Sequence, residues 1–183
     1  MAQYSYRFQD RDMSRDLRIN YVYMDEMTYE RFTIACEQLG WANKSLVQQC
    51  IHAFFKKHQD YYANAGIQDA LARGLSSNDY YEYLWSDRDD DLPPYLGQRP
   101  DFGSSPISTT PQVVVSTGNK RKYNVITLGD YNCVLLKVAK IVELETWPGL
   151  VSRIMAYHFN LYWESNYLPQ IQLHESRNFK LER

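Results

Sequence analysis

Sliding the chain against itself by 104 residues brings residues 18–62 and 122–166 into register, and this internal repeat limits the possible fold more than any other feature. In the first segment, Arg18-Ile-Asn-Tyr-Val-Tyr-Met24 is rich in β-branched and aromatic residues and short enough for one strand. Asp25 and Glu26 then open a helix in which Tyr29, Phe32, Ala35, Cys36 and Leu39 fall three and four apart on one apolar stripe. Gly40 ends it, Asn43 offers a cap for a second helix, and Leu46, Val47, Cys50, Ile51, Phe54 and Phe55 form a second stripe. That stripe fades into the polar stretch Lys56–Tyr62.

The second segment has the same order. Tyr123-Asn-Val-Ile-Thr-Leu128 reads as a strand and Gly129-Asp130 as the turn into a helix carrying Cys133, Leu136, Ala139 and Val142. Thr146 and Pro148 suit a cap and a first turn, and Leu150, Val151, Ile154, Met155, Phe159 and Tyr162 continue the last helix. Asn20 recurs as Asn124, Val22 as Ile126, Met24 as Leu128, Ala35 as Ala139 and Leu46-Val47 as Leu150-Val151. Two unrelated amphipathic segments can align by chance, but the shared order and lengths favour duplication.

Each copy presents one strand, whose backbone donors and acceptors need a partner, and two helices too short to bury their stripes alone. Pairing of copies meets both needs. This pattern resembles the ribbon-helix-helix family of the Arc and methionine repressors. The resemblance implies a mainly α fold with a short two-stranded antiparallel ribbon, two ribbon-helix-helix motifs in one chain sharing a core, and double-stranded DNA as partner through its major groove. Pairing within the chain, as a pseudo-dimer, and pairing between chains, as a homodimer, both satisfy the pattern.

The resulting organisation is an N-terminal arm (1–17), motif 1 (18–62), a helical then acidic and Pro-rich connecting segment (63–121), motif 2 (122–166) and a C-terminal tail (167–183). In the ribbon, Val22, Met24, Ile126 and Leu128 are expected to face the core, with Ile19, Tyr21, Tyr23, Tyr123, Val125 and Thr127 outward. The resemblance implies that outward residues read base edges, here Tyr21, Tyr23, Val125 and Thr127, although none is an Arg, Lys, Gln or Asn suited to bidentate base contacts. A one-residue slip would exchange the faces and expose Asn20 and Asn124. It also implies a phosphate at the N-terminus of the second helix, where Asn43, Lys44 and Ser45 stand. The matching Thr146–Gly149 has no cation and is flanked by Glu143 and Glu145. Arg18 and Lys120-Arg121-Lys122, just before the strands, are candidates to track phosphates, an ordinary solvated loop being the alternative.

Charge permits this partner without requiring it. The net charge of −2 combines −5 over residues 63–111 with +3 over residues 112–183, +1 over 1–18 and −1 over 19–62. Within the connector, residues 67–85 suggest two short helical pieces. Asp87–Pro94 and Gly103–Pro111 read as an extended, mobile linker whose acidic run is a candidate mask for the basic surface. Asp87, Asp89 and Asp91 alternate like calcium-loop ligands, but Leu92 stands where such a loop needs glycine and Gln98 where it needs glutamate.

No apolar run is long enough for a bilayer and the N-terminus carries no apolar leader, so a soluble, cytoplasmic protein is expected, nucleoid-associated if it binds DNA. Cys36, Cys50 and Cys133, an odd number within apolar helical patterns, point to buried thiols rather than disulfides. His52, His58, His158 and His174 form no metal-binding spacing, and no glycine-rich phosphate loop or nucleophile elbow is present. Neither a cofactor nor an enzymatic activity is therefore expected. The aromatic content of 15%, with 16 Tyr, keeps two alternatives open. One is a protein-interaction adaptor on the same fold that has lost its DNA contacts. The other is a regulator gated by an anionic or nucleotide ligand stacked on Tyr80, Tyr81, Tyr83 and Trp85.

Overall fold

A computed structural model describes residues 14–17, 21–111, 120–122 and 126–181. The protein is mainly α-helical. In the first half, α1 (Glu26–Leu39) and α2 (Asn43–Ala72) follow one another; α3 (Ser77–Trp85) and a 3-10 turn (Asp89–Asp91) lead into the connector; α4 (Asp130–Glu143) and α5 (Trp147–Tyr162) form the second half. A π-helical turn (Trp163–Tyr167) then passes into α6 (Leu168–Leu181). Both α1 and α4 have 14 residues, and α2 and α5 begin at the same offset of 104 residues as α1 and α4.

Local chemistry sets the helix ends. Asp25 caps α1, its Oδ1 accepting the Thr28 backbone N–H at 2.9 Å and its Oδ2 the Thr28 hydroxyl at 2.6 Å. Gly40 closes α1 at φ 70°, a left-handed conformation that costs a residue with a Cβ about 1 kcal/mol or more. Helix α2 does not fade at Tyr62 as its polar stretch suggests but continues to Ala72, 30 residues in all. Residues 63–72 contain no proline, and the buried Tyr62, Ala65, Asp69 and Ala70 prolong the stripe across the boundary. Gly66 lies inside this extension, where an added Cβ would stand 3.1 Å from the Tyr81 hydroxyl and 3.4 Å from Val138, so α3 and α4 approach the α2 backbone closely.

Among the described residues, four short strands pair antiparallel: β1 (Ser14–Leu17) with β4 (Ile126–Gly129), and β2 (Tyr21–Tyr23) with β3 (Lys120–Lys122). Ser14 faces Gly129 and Leu17 faces Ile126; Tyr21 faces Lys122 and Tyr23 faces Lys120. Ser14–Leu17, expected within the N-terminal arm, and Lys120–Lys122, expected just before the second strand, are thus themselves paired strands. An antiparallel alignment sets each expected strand against the residues preceding the other, which supply the missing backbone partners. Val22 and Met24 are buried, as expected, while Arg18, Ile19, Tyr123 and Val125 lie outside the described residues. Tyr21, Ile126, Thr127 and Leu128 are placed by their backbone positions alone.

The two halves interlock in one hydrophobic core. Phe32, Ile51, Phe54 and Phe55 from the first half join Leu136, Ile154, Met155 and Phe159 from the second in the same buried cluster. Phe32 meets Phe159 edge-on, with centroids 6.5 Å apart and planes at 88°. Strand β2 lies against α5, where the Tyr23 N–H donates to Ser152 Oγ at 2.8 Å, and β4 lies against α2. Each half's strand thus rests on the other half's second helix. Full burial of each such aromatic or aliphatic side chain contributes about 1.5–3 kcal/mol.

The expected C-terminal tail is helical instead. Phe159, Trp163, Tyr167 and Ile171 recur every fourth residue, are all buried, and carry the apolar stripe of α5 through the π turn into α6, which packs on α1. Arg31 of α1 covers the Trp163 ring at 5.5 Å and donates to Asn160 Oδ1 at 3.2 Å.

Residues 92–111 carry no regular secondary structure, yet they form a docked strap rather than a free linker. Arg73 holds its start, donating from Nη1 to Pro93 O at 2.7 Å, while buried Asp69 accepts from Arg73 Nε at 2.8 Å and the Tyr95 hydroxyl at 2.6 Å. Arg99 Nη2 donates to Val142 O at 2.7 Å, and the Ile107 side chain is fully buried. The acidic run before the strap is also engaged: Asp87 pairs with buried Lys137, and Asp89 lies 3.4 Å from Lys140. These carboxylates neutralise cations of α4.

Candidate nucleic-acid interface

Strand β3 places Lys120, Arg121 and Lys122 directly across from Tyr23, Val22 and Tyr21. Because side chains alternate across a strand and Val22 is buried, Tyr23 belongs to the opposite face; it is half-buried there. The structure therefore brings Tyr21, Tyr23 and the three basic residues onto one pair of strands, with Thr127 on the neighbouring β4.

The two helix N-termini expected to face phosphates differ in kind. At α2 the capping position is Ala42, without a side-chain cap hydrogen bond, and Asn43 is the first helical residue rather than the cap. Asn43, Lys44 and Ser45 are all exposed and the first turn has no acidic residue. Backbone N–H groups, the positive end of the helix dipole and a lysine thus share one exposed turn.

At α5 the equivalent turn is closed from within. Thr146 is the cap, its Oγ1 accepting the Gly149 N–H at 3.2 Å, and Pro148 occupies the first turn. Glu145 folds back over this turn, its Oε2 only 2.6 Å from the point where a Cβ on Gly149 would stand. Arg153 Nη1 donates to Glu145 Oε1 at 3.1 Å and approaches Glu143 Oε2 at 4.0 Å. The same guanidinium donates to Ile107 O at 2.7 Å and, from Nε and Nη2, to Thr110 O at 3.2 and 3.1 Å. A carboxylate already occupies the favourable end of the dipole, and it repels a second anion.

The aromatic segment of α3 is not a stacking surface. Tyr80 and Tyr81 lie in the core, and the exposed Arg88 covers Tyr83 at 5.0 Å. A feature that sequence patterning did not single out is a groove of about 750 Å³ beside α2, lined in part by His52, Lys56, Lys57 and His158. The spacing of His52 and Lys56 on the polar side of α2 was a signal for one wall, but the opposing wall comes from residues more than a hundred positions away. Among the described residues, no three His, Cys, Asp or Glu side chains are grouped to hold a metal ion, and no helix is long and apolar enough to cross a membrane.

Comparisons with protein-family models, with curated proteins and with solved structures find no match to this chain.

Proposed function

We propose that the chain is a double-stranded DNA-binding regulator built as a tandem ribbon-helix-helix unit, in which the paired strands enter the major groove. The observation that carries this reading is the recurrence of both helices at one offset of 104 residues, together with strands of each half that rest on the other half's second helix. Strand β3 supplies Lys120 and Lys122, which stand across from Tyr23 and Tyr21, while Arg121 stands across from the buried Val22; the uncapped first turn of α2 with Lys44 supplies a phosphate contact. Arg18 and Val125, which lie outside the described residues, belong to the proposed set by sequence position alone.

Salt-dependent binding to a pooled duplex library tests the proposal. Affinity should fall steeply with salt, with a log-log slope of about −0.9 per neutralised phosphate. Lys44→Ala should weaken binding to all sequences alike, whereas Thr127→Ala and Tyr23→Phe should alter sequence preference. A folded protein that binds no duplex at low salt overturns it.

A second reading is a protein-interaction adaptor on the same fold. Glu145 closing the α5 turn and the net charge of −2 favour it. Copurification of a stoichiometric protein partner free of nucleic acid separates this reading from the first.

A further inference from the structure

The groove beside α2 runs between that helix and the π turn joining α5 to α6. Lys56, Lys57 and His52 line it from α2, Trp41 from the α1–α2 turn, and Tyr162 and His158 from the opposite side. We propose that this groove binds a small phosphorylated aromatic molecule of the nucleoside monophosphate class, with Lys56 and Lys57 on the phosphate and Trp41 and Tyr162 against the ring. The site uses no strand residue, so it stands independently of the DNA reading.

The size is suitable, because small-molecule sites span roughly 300–1,000 Å³. Its charge is one-sided: no carboxylate is among the lining residues, and neither exposed lysine has an ion-pair partner among the described residues. Anions are therefore attracted without competition from the groove wall. Trp41 keeps 37% of its surface exposed, an uncommon state for so large an apolar ring and one that a stacked base would relieve.

His158 supplies the second, independent observation. It is 4% exposed, its Nε2 lies 2.8 Å from the Tyr167 hydroxyl, and its Nδ1 has no hydrogen-bond partner among the described residues. A buried polar atom without a partner is costly, so a small turn of the ring that brings Nδ1 to the groove wall, where a ligand group can pair with it, gains affinity. Burial pushes the ring down to about 4, which keeps it neutral near pH 7 and leaves Nδ1 a single hydrogen bond to give or take. Ribose hydroxyls and base edges can complement either role. Asn132 Nδ2, from α4, donates to His52 Nδ1 on α2 at 3.0 Å, which leaves Nε2–H of that ring as a further donor.

The test is calorimetric titration of the full chain with AMP, GMP, CMP and UMP, with adenosine and inorganic phosphate as fragment probes, alongside tryptophan fluorescence. At least one nucleotide should bind saturably and at least about tenfold more tightly than either fragment. Lys56→Gln with Lys57→Gln, both exposed and so neutral for folding, should weaken nucleotide binding at least about tenfold while sparing adenosine. Trp41→Ala should weaken the nucleotide and adenosine together and remove the fluorescence response. No saturable binding of any of the four nucleotides by folded protein, equal affinity for inorganic phosphate, or indifference to the lysine and Trp41 substitutions would each overturn the proposal.

Discussion

Arg153 ties α5 to the α4–α5 turn and to the strap, and replacing it with methionine tests that convergence. Methionine retains most of the apolar stem. Lost are three donated bonds to the carbonyls of Ile107 and Thr110, and the pairing with Glu145 and Glu143. Each buried carbonyl left without a donor costs about 1–3 kcal/mol, and breaking a buried ion pair on one side costs about 3–5 kcal/mol. The two costs do not add in full, because peeling of the strap admits water to the orphaned groups. A net loss of about 3–5 kcal/mol is expected, a fall in Tm of about 6–20 °C for a chain of this size. Arg153→Lys keeps a point charge but cannot span two carbonyls and a carboxylate, so it should recover less than half of the loss. Urea unfolding gives the stability, and limited proteolysis between Gly103 and Pro111 reports on the strap. A loss below about 1 kcal/mol with unchanged proteolysis would refute the view of Arg153 as the anchor.

Stability should also depend on pH through His158, whose folded-state value of about 4 lies below the ordinary 6.5 because burial disfavours the charged ring. The unfolded chain binds the proton more readily, so stability is fully present above about pH 6.5 and is lost as pH falls toward 4, by at most about 3 kcal/mol. His158→Gln should flatten that part of the urea-midpoint profile; an unchanged slope would remove His158 as its source. Gly40→Ala should cost about 1 kcal/mol from the φ of 70° alone, since nothing lies within 4 Å of the added methyl, and Gly40→Asn should cost less. If DNA binds as proposed, Glu145→Gln should raise affinity about two- to fivefold by removing an anion from the α5 dipole; a decrease would show that the carboxylate is not competing with phosphate.

The helices of both halves were legible because their apolar residues recur at helical spacing and their caps, Asp25, Gly40 and Thr146, are local signals. Val22 and Met24 were legible as core for a similar reason, two inward positions separated by one residue. The continuation of α2 past Tyr62 was hidden by Lys56-Lys57-His58-Gln59-Asp60, which is the solvent side of a helix whose buried side resumes at Tyr62 and Ala65. Likewise Trp163, Tyr167 and Ile171 form a four-residue spacing that a polar composition obscured. The strap was not legible at all. Its order comes from arginines at positions 73, 99 and 153, whose partners are carbonyl oxygens, and a backbone acceptor leaves no mark in a sequence. The groove was equally hidden, since its two walls meet only through the tertiary fold.

Joining both halves in a single polypeptide has a consequence for asymmetry. An assembly of identical subunits must display every surface feature twice, so an advantage at one end is bound to a liability at the other. Here one helix start has been sealed by its own glutamate while its counterpart stays bare, and neither change constrains the other. The intramolecular core also forms without a second-order step, so dilution does not separate its two contributors. A molecule of this kind has a head and a tail, and whatever it grips, it can grip in one direction.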